Sequence, residues 1–261
     1  MSTSLRVSLV QAATRWEDPA GNQADIEQLT VDLAGRTDVV VLPEMFATGF
    51  SMQPDRLAEP PMGPTAQWMQ RQAKRLDAAV VGSIITREGD GHFNRLHWVQ
   101  PDGSVATYDK RHLFRMGGED RHYAPGREAL VVAWRGFRIL PLVCYDLRFP
   151  VWSRRREAQD YDTLLYIASW PAARRHAWRS LLVARAIENQ SFVIGVNRTG
   201  ADGNGLPHAG DSVVHDFLGE PLVELGSAAG VATTMLELDA LQAFRKRFPA
   251  QLDADRFTLE P

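Results

Sequence analysis

The chain has 261 residues, of which 44% are hydrophobic and 23% charged: enough apolar material for a full globular core, with no uninterrupted apolar run of bilayer-spanning length. A formal net charge of −3 argues against a nucleic-acid footprint and against attachment to a membrane surface. The single cysteine forbids an intrachain disulfide and a cysteine-based zinc cluster. Since no basic segment followed by an apolar one opens the chain, the expected location is a reducing cytoplasm, where a thiol stays available for chemistry.

Leu5, Val7 and Leu9 alternate with Arg6 and Ser8, which predicts a strand over 5–12. Asp18-Pro19 and Gly21-Asn22 mark a turn, and 22–34 reads as a helix with Ile26, Leu29 and Leu33 on one face. The apolar run 39–42 predicts a short buried strand ending at Pro43-Glu44, so a carboxylate stands at a strand terminus. A Pro-rich loop over 53–64 precedes a helix over 65–76, started by Thr65 and turning Ala66, Met69, Ala73 and Leu76 inward. A strand over 79–85 follows. Segments 94–99 and 108–110 flank the turn Pro101-Asp102-Gly103-Ser104, a hairpin that leaves Lys110 at its far end.

Strands over 130–132 and 137–143 lead to the segment around which the chain is organised. There an apolar run delivers Cys144 into the polar, Pro-terminated stretch Cys144-Tyr-Asp-Leu-Arg-Phe-Pro150. A free cysteine is often a small buried hydrophobe, but Glu44 and Lys110 stand likewise at the ends of apolar segments, and the three together favour a nucleophile. Further on, 154–159 reads as part of a helix, and 163–168 as a buried strand ending at Ser169-Trp170-Pro171. The strongest helix covers 178–189, with Arg185 and Glu188 available for pairing. A strand over 192–196 stops at Asn197-Arg198-Thr199-Gly200, before a Gly-rich loop over 200–211. Strands over 212–215, 221–225 and 231–238 and a helix over 241–248, with Arg245, Lys246 and Arg247 on a solvated face, complete the chain. About a dozen strands with helices between them and no low-complexity linker predict an α/β fold of packed sheets and outer helices. The expected organisation is a single domain over 1–261 with a short C-terminal extension from about 240. The loop glycines lack the Lys-Ser/Thr ending of a phosphate loop, and His112, His122 and His176 are too scattered to name a metal site.

Hydrolysing an unactivated amide takes a strong nucleophile, a proton shuttle and donors for the developing oxyanion. Pro43-Glu44, Tyr108-Asp-Lys110-Arg-His-Leu-Phe114 and Cys144-Tyr-Asp-Leu-Arg-Phe-Pro150 resemble, in order and spacing, the glutamate, lysine and cysteine motifs of the nitrilase and amidase family of carbon-nitrogen hydrolases. The resemblance runs over 5–238. Glu44-Met-Phe-Ala-Thr-Gly-Phe50, Gly118-Glu119, Ser169-Trp-Pro171, Ala184-Arg-Ala-Ile-Glu-Asn189 and Gly195-Val-Asn-Arg-Thr-Gly200 look most like the bacterial omega-amidases that act on 2-oxoglutaramate. It implies a four-layer αββα sandwich, commonly a homodimer or larger, with a cysteine nucleophile and neither metal nor other cofactor.

On that resemblance Cys144 attacks the amide carbonyl, Glu44 is the general base, and Lys110 with the backbone N–H of Tyr145 stabilises the oxyanion. Glu119 orients Lys110 or helps place the substrate. Phe46, Trp170 and Pro171 are candidate pocket walls, Arg148 a structural partner of Asp146, and Arg198 and His208 conceivable partners for a substrate carboxylate. The implied reaction converts 2-oxoglutaramate or 2-oxosuccinamate, through a cysteine thioester, to the dicarboxylate and ammonia, with a glutamine transaminase as metabolic partner. The alternatives are an N-carbamoyl amino acid amidohydrolase, a nitrilase, or a non-catalytic binding protein on the same fold.

Overall fold

In the computed structural model, which describes residues 3–259, the first half of the chain forms β1 (Ser4–Gln11), α1 (Pro19–Leu29), β2 (Val39–Val41), the one-turn α2 (Pro54–Leu57), α3 (Pro64–Leu76), β3 (Ala79–Glu88), β4 (Gly91–Val99) and β5 (Val105–Asp109). The second half forms β6 (Val132–Trp134), β7 (Phe137–Val143), the one-turn α4 (Pro150–Ser153), β8 (Thr163–Ala168), α5 (Arg175–Asn189), β9 (Phe192–Asn197), β10 (Thr199–Ala201), β11 (Pro207–Ala209), β12 (Val213–His215), β13 (Pro221–Glu224), β14 (Gly230–Glu237) and α6 (Leu238–Arg247). Two six-stranded sheets result, ordered β14-β1-β2-β3-β4-β5 and β13-β12-β9-β8-β7-β6. Each has three parallel strands at its centre, β1 to β3 in one and β7 to β9 in the other, flanked by antiparallel partners.

The layers follow from side-chain alternation. In β2, Val39 and Val41 join the core between the sheets, with Leu5, Val7, Ile139 and Leu165, whereas Val40 faces outward and packs under Ala66, Met69 and Ala73 of α3. Trp178, Leu182 and Ala186 of α5 cover the outer face of the second sheet. Parallel strands buried on both faces need this double cover, and the outcome is the expected α/β sandwich of helix, sheet, sheet and helix.

Local chemistry departs from the sequence reading in four places. Pro64 rather than Thr65 opens α3, and the carboxylate of Glu59 accepts the N–H (2.7 Å) and hydroxyl (2.6 Å) of Thr65, supplying negative charge at the helix N-terminus. Helix α1 ends at Leu29, where the Thr30 hydroxyl takes the carbonyl of Ile26 (2.8 Å). No helix forms over 154–159: Arg154 donates to the Glu188 carbonyl (2.6 Å) and Arg155 to Asp160 (2.7 Å), which draws the segment into a loop closed by pairing of Arg156 with Gln159. Arg245 is not solvated; it donates to the carbonyls of Gln190 and Tyr161 and to Asp162, and burial pulls its pKa down to about 10. Among the described residues no helix is long and apolar enough to cross a membrane.

Asp38, just before β2, ties the two sheets at one edge. Its carboxylate accepts from Arg6 in β1 (N 2.7 Å, Nη2 2.8 Å) and from Arg135 in the β6–β7 turn, while its carbonyl accepts the Trp134 indole (3.0 Å). Burial opposes ionisation, but the hydrogen bonds from Arg6 outweigh it and hold the carboxyl below its ordinary 3.8. A depressed folded-state pKa stabilises fully above the unfolded value, and that contribution is lost as pH falls through the folded one. Asp38→Asn should therefore cost about 2 kcal/mol at neutral pH in urea unfolding, and the gap to wild type should narrow at a pH well below 3.8. An equal gap at both pH values would show that the carboxylate charge is not what holds this edge.

Candidate active site

Glu44, Lys110 and Cys144 lie just beyond the ends of β2, β5 and β7, and all three are buried. The carboxyl ends of central parallel strands are where α/β folds leave a crevice. After β2, Leu42 donates to the Val81 carbonyl (2.7 Å), and Met45 turns the chain with φ 45°, its N–H on Ser83 Oγ (2.8 Å). That turn leaves Glu44 facing inward between the sheets. It also corrects the expectation for Phe46, which is not a pocket wall but packs on Trp68 of α3 at 5.6 Å between ring centres. Gly82 makes room for it, since a Cβ there would sit 2.7 Å from the ring. Phe50 lines the cavity instead.

Cys144 opens a 3₁₀ turn over Cys144–Arg148 with φ 47°, a conformation that costs a non-glycine residue about 1–3 kcal/mol. Asp146 holds it there. Its Oδ2 accepts the Val143 N–H (3.0 Å) and the Tyr108 hydroxyl (2.8 Å), and its Oδ1 accepts the His112 N–H (3.0 Å) and contacts His112 Nδ1 (2.7 Å). One buried carboxylate thus joins the cysteine turn to residues on either side of Lys110. Asp146 is fully engaged by these partners, so the expected pair with Arg148 does not form. The Arg148 guanidinium lies over the Trp170 ring at 5.0 Å. Arg185 of α5 fastens the turn from behind by donating to the Leu147 carbonyl (2.6 Å).

Lys110 Nζ donates to Glu44 Oε1 (2.8 Å) and to both oxygens of Glu119 (3.0 and 2.8 Å), and all three side chains are sealed from solvent. Glu119 is therefore a buried partner of the ammonium, further fixed by the Phe114 N–H (2.6 Å). Glu44 Oε2 accepts the Ser169 N–H (2.8 Å). Burial alone pushes the lysine pKa down, but the charges of Glu119 and Glu44 overturn that and hold it above its ordinary value. The pKa of Glu119 moves up, because burial outweighs the attraction of Lys110 and Glu44 adds repulsion. The thiol of Cys144 is pushed well above its ordinary range by burial and then by the Glu44 charge, with Lys110 opposing. At rest the arrangement is an ammonium between two glutamate side chains beside a neutral thiol, a geometry in which a carboxylate can accept a proton from sulfur.

A cavity of about 160 Å³ opens onto the thiol and Lys110. Trp170, Pro171 and Tyr145 line it, Tyr145 also following the thiol directly in the chain, and Arg148, Arg174 and Asp202 supply its charges. His208 reaches it too: Nε2 lies 3.2 Å from Ser169 Oγ and Nδ1 3.0 Å from the Leu206 carbonyl, and burial, then Arg198, pulls its pKa down to about 4. Arg198 does not reach it; its Nη2 donates to the carbonyls of Thr14 and Ala201 (both 2.9 Å), fastening the β10–β11 hairpin. Sequence reasoning missed Arg174, Phe50 and Asn94, the last buried on β4 with Nδ2 2.8 Å from Glu44 Oε1. A polar amide on a strand whose following inward positions are Leu96 and Trp98 was the available signal for Asn94; nothing local marks Arg174.

The sequence pattern of the carbon-nitrogen hydrolases matches residues 6–246. The chain is 50% identical over 261 residues to the omega-amidase YafV of Yersinia enterocolitica, covering 99% of this chain and 100% of that one. It is 31% identical over 246 residues to the 2-oxoglutaramate amidase of Bacillus subtilis, covering 93% and 95%. A crystal structure of a carbon-nitrogen hydrolase superfamily protein from Xanthomonas campestris, with an arsenic adduct in its active site, superposes with a TM-score of 0.96 at 53% identity, covering 98% of this chain and 99% of that one.

A thiol held neutral by burial and by a neighbouring carboxylate sets an expectation for labelling. Iodoacetamide should modify Cys144 slowly at neutral pH, at a rate that keeps climbing past about pH 9 instead of levelling near the 8.5 of a free cysteine. A plateau below about pH 8 in the wild type would contradict the neutral resting thiol.

Proposed function

The chain belongs to the carbon-nitrogen hydrolase family, and from that premise we propose that it is an omega-amidase, hydrolysing the terminal amide of 2-oxoglutaramate or 2-oxosuccinamate to the dicarboxylate and ammonia. The observation that carries the reading is the ammonium of Lys110 bonded to both Glu44 and Glu119 beside the chain's one cysteine. Glu44 Oε1 accepts from Lys110 and Asn94, while Oε2 accepts the Ser169 N–H. A carboxylate oxygen has two lone pairs, so Oε2 retains one for the thiol proton.

Glu44 takes that proton as Sγ attacks the amide carbonyl. The developing oxyanion meets the Lys110 ammonium and the Tyr145 N–H. Glu44 passes its proton to the departing nitrogen, ammonia leaves, and a thioester remains on Cys144. A water molecule, deprotonated by Glu44, attacks the thioester; the tetrahedral intermediate collapses to the carboxylic acid, and Sγ recovers its proton from Glu44. Lys110 contributes charge rather than proton transfer, because its carboxylate partners keep it an ammonium.

The small cavity suits a short linear amide, and Arg148 and Arg174 on its lining offer the paired donors that a distal carboxylate needs. This reading takes in a homodimer, a cytoplasmic location in which the thiol stays reduced, and a glutamine transaminase upstream, since transamination of glutamine yields a 2-oxo amide.

Ammonia release from 2-oxoglutaramate, with succinamate, an N-carbamoyl amino acid and a simple nitrile in parallel, tests the assignment. The 2-oxo amide should be turned over fastest and Cys144→Ala should be inactive. Faster turnover of the carbamoyl compound or nitrile would move the protein to another branch of the family, and activity surviving in Cys144→Ala would remove the nucleophile. Separately, Arg148→Ala and Arg174→Ala should each raise KM for 2-oxoglutaramate about 10- to 100-fold, the worth of a charge-assisted hydrogen bond, with a much smaller change in kcat. Unchanged KM in both would place carboxylate recognition elsewhere.

A further inference from the structure

Asn94 touches the Glu44, Lys110 and Glu119 cluster at three points. Its Nδ2 donates to Glu44 Oε1 (2.8 Å) and to Glu119 Oε1 (3.1 Å), and its main-chain carbonyl accepts the Lys110 N–H (3.0 Å). The residue is fully buried on β4, where it stands opposite Ile85 of β3. We infer that Asn94 is a positioning residue for amide hydrolysis: it pins Oε1 of Glu44 and of Glu119 at one ammonium, and so turns the open lone pair of Glu44 Oε2 toward the thiol. This rests on the amidase reading above.

The amide is oriented by what surrounds it. A side-chain amide has two N–H donors, and here each serves a different carboxylate. Flipping the group would set its carbonyl oxygen against both carboxylates, so the network itself fixes which atom faces them. The orientation leaves Oδ1 buried without a hydrogen-bond partner among the described residues, a cost that an apolar side chain would avoid. Leu96 and Trp98, the next residues on the same face of β4, are apolar and fully buried. Packing does not call for an amide at Asn94, whereas two carboxylates competing for one ammonium do.

The terminal torsion of a glutamate is broad and two-fold. Lys110 alone could hold Glu44 with either oxygen, or slide toward Glu119, which already engages Nζ with both of its oxygens. The second donor on Oε1 removes that freedom and leaves Ser169 N–H and the thiol to share Oε2. The donor also favours the ionised carboxylates. Facing them are Lys110 from the end of β5, Cys144 from the end of β7, and the Tyr123 phenol, whose pKa is raised by burial and then by the Glu119 charge. Burial already lifts Glu119 toward its neutral form, so loss of the amide donors should let the pair take up a proton at higher pH.

The test compares wild type with Asn94→Ala, which removes both donors, and with the isosteric Asn94→Asp, which keeps the shape and replaces the two N–H donors by a carboxyl that offers at most one. The substrate is whichever of the four compounds named above the wild type turns over. In each folded variant kcat should fall about 100-fold while KM stays within about threefold, and the acid limb of the kcat/KM profile should move to higher pH. Wild-type kcat in Asn94→Asp, a loss confined to KM, or an unmoved acid limb overturns the assignment while leaving the amidase reading intact. A wild type inert toward all four compounds overturns both.

Discussion

A lysine ammonium cut off from water persists only where opposite charge replaces its hydration, and Lys110 is held in that way. Removing an ion from water costs several kcal/mol even after relaxation, and here three ionisable side chains, those of Lys110, Glu44 and Glu119, have no solvent contact. Two carboxylates against one ammonium leave an excess of acceptors. Neutral donors make up the difference: the amide of Asn94 and the backbone N–H groups of Ser169 and Phe114. A cluster of this kind tolerates little displacement, because each lost donor leaves a buried charge exposed to low dielectric. The same tightness suits the proposed chemistry, which calls for an ammonium in place before an oxyanion develops.

The two sheets exist, in functional terms, to bring these groups together. Glu44 comes from the first sheet, Cys144 and Ser169 follow strands of the second, and Lys110 leaves the edge strand of the first. Asp146 couples the halves by accepting from Tyr108 and His112 on one side and from Val143 on the other. The left-handed backbone at Met45 and Cys144 is the local cost of turning sharply out of a buried strand, and the surrounding hydrogen bonds offset it. Helix α5 contributes through Arg185, so a helix that covers the outer face also secures the cysteine turn.

Around this centre the cavity is built from separate segments of the chain. Arg148 lies over Trp170 and Arg174 over Phe114, both at 5.0 Å, an arrangement in which an aromatic face steadies a guanidinium without consuming its hydrogen-bond donors. His208 belongs to the β10–β11 hairpin, whose position depends on Arg198 reaching back to Thr14 near the start of the chain. Division of labour between a fixed reacting centre and a rim assembled from separate segments is how one family can keep its chemistry while its substrates differ.

Much of this was legible in the sequence, because strand alternation and chemical motifs are local. Val39 to Leu42 had to be a buried strand, Glu44 had to stand at its end, and the apolar run before Cys144 had to deliver the thiol to a strand terminus. What local pattern cannot carry is the identity of partners distant in the chain. The pair expected between Arg148 and Asp146 was reasonable on proximity in sequence, yet Tyr108 and His112 claim Asp146 from more than thirty residues away. Phe46 stands two residues from Glu44 yet packs under α3, because the left-handed turn at Met45 between them breaks the alternation that would put both on one face. Asn94 became part of the site only when β4 was laid beside β3 and the two glutamates arrived from other segments. The sequence by itself determined the family motifs, which groups they mark as candidates for the chemistry, and which segments are buried. Tertiary structure alone decided which charges share a dielectric and which donors satisfy them, because those interactions depend on distances between segments that the order of residues does not specify.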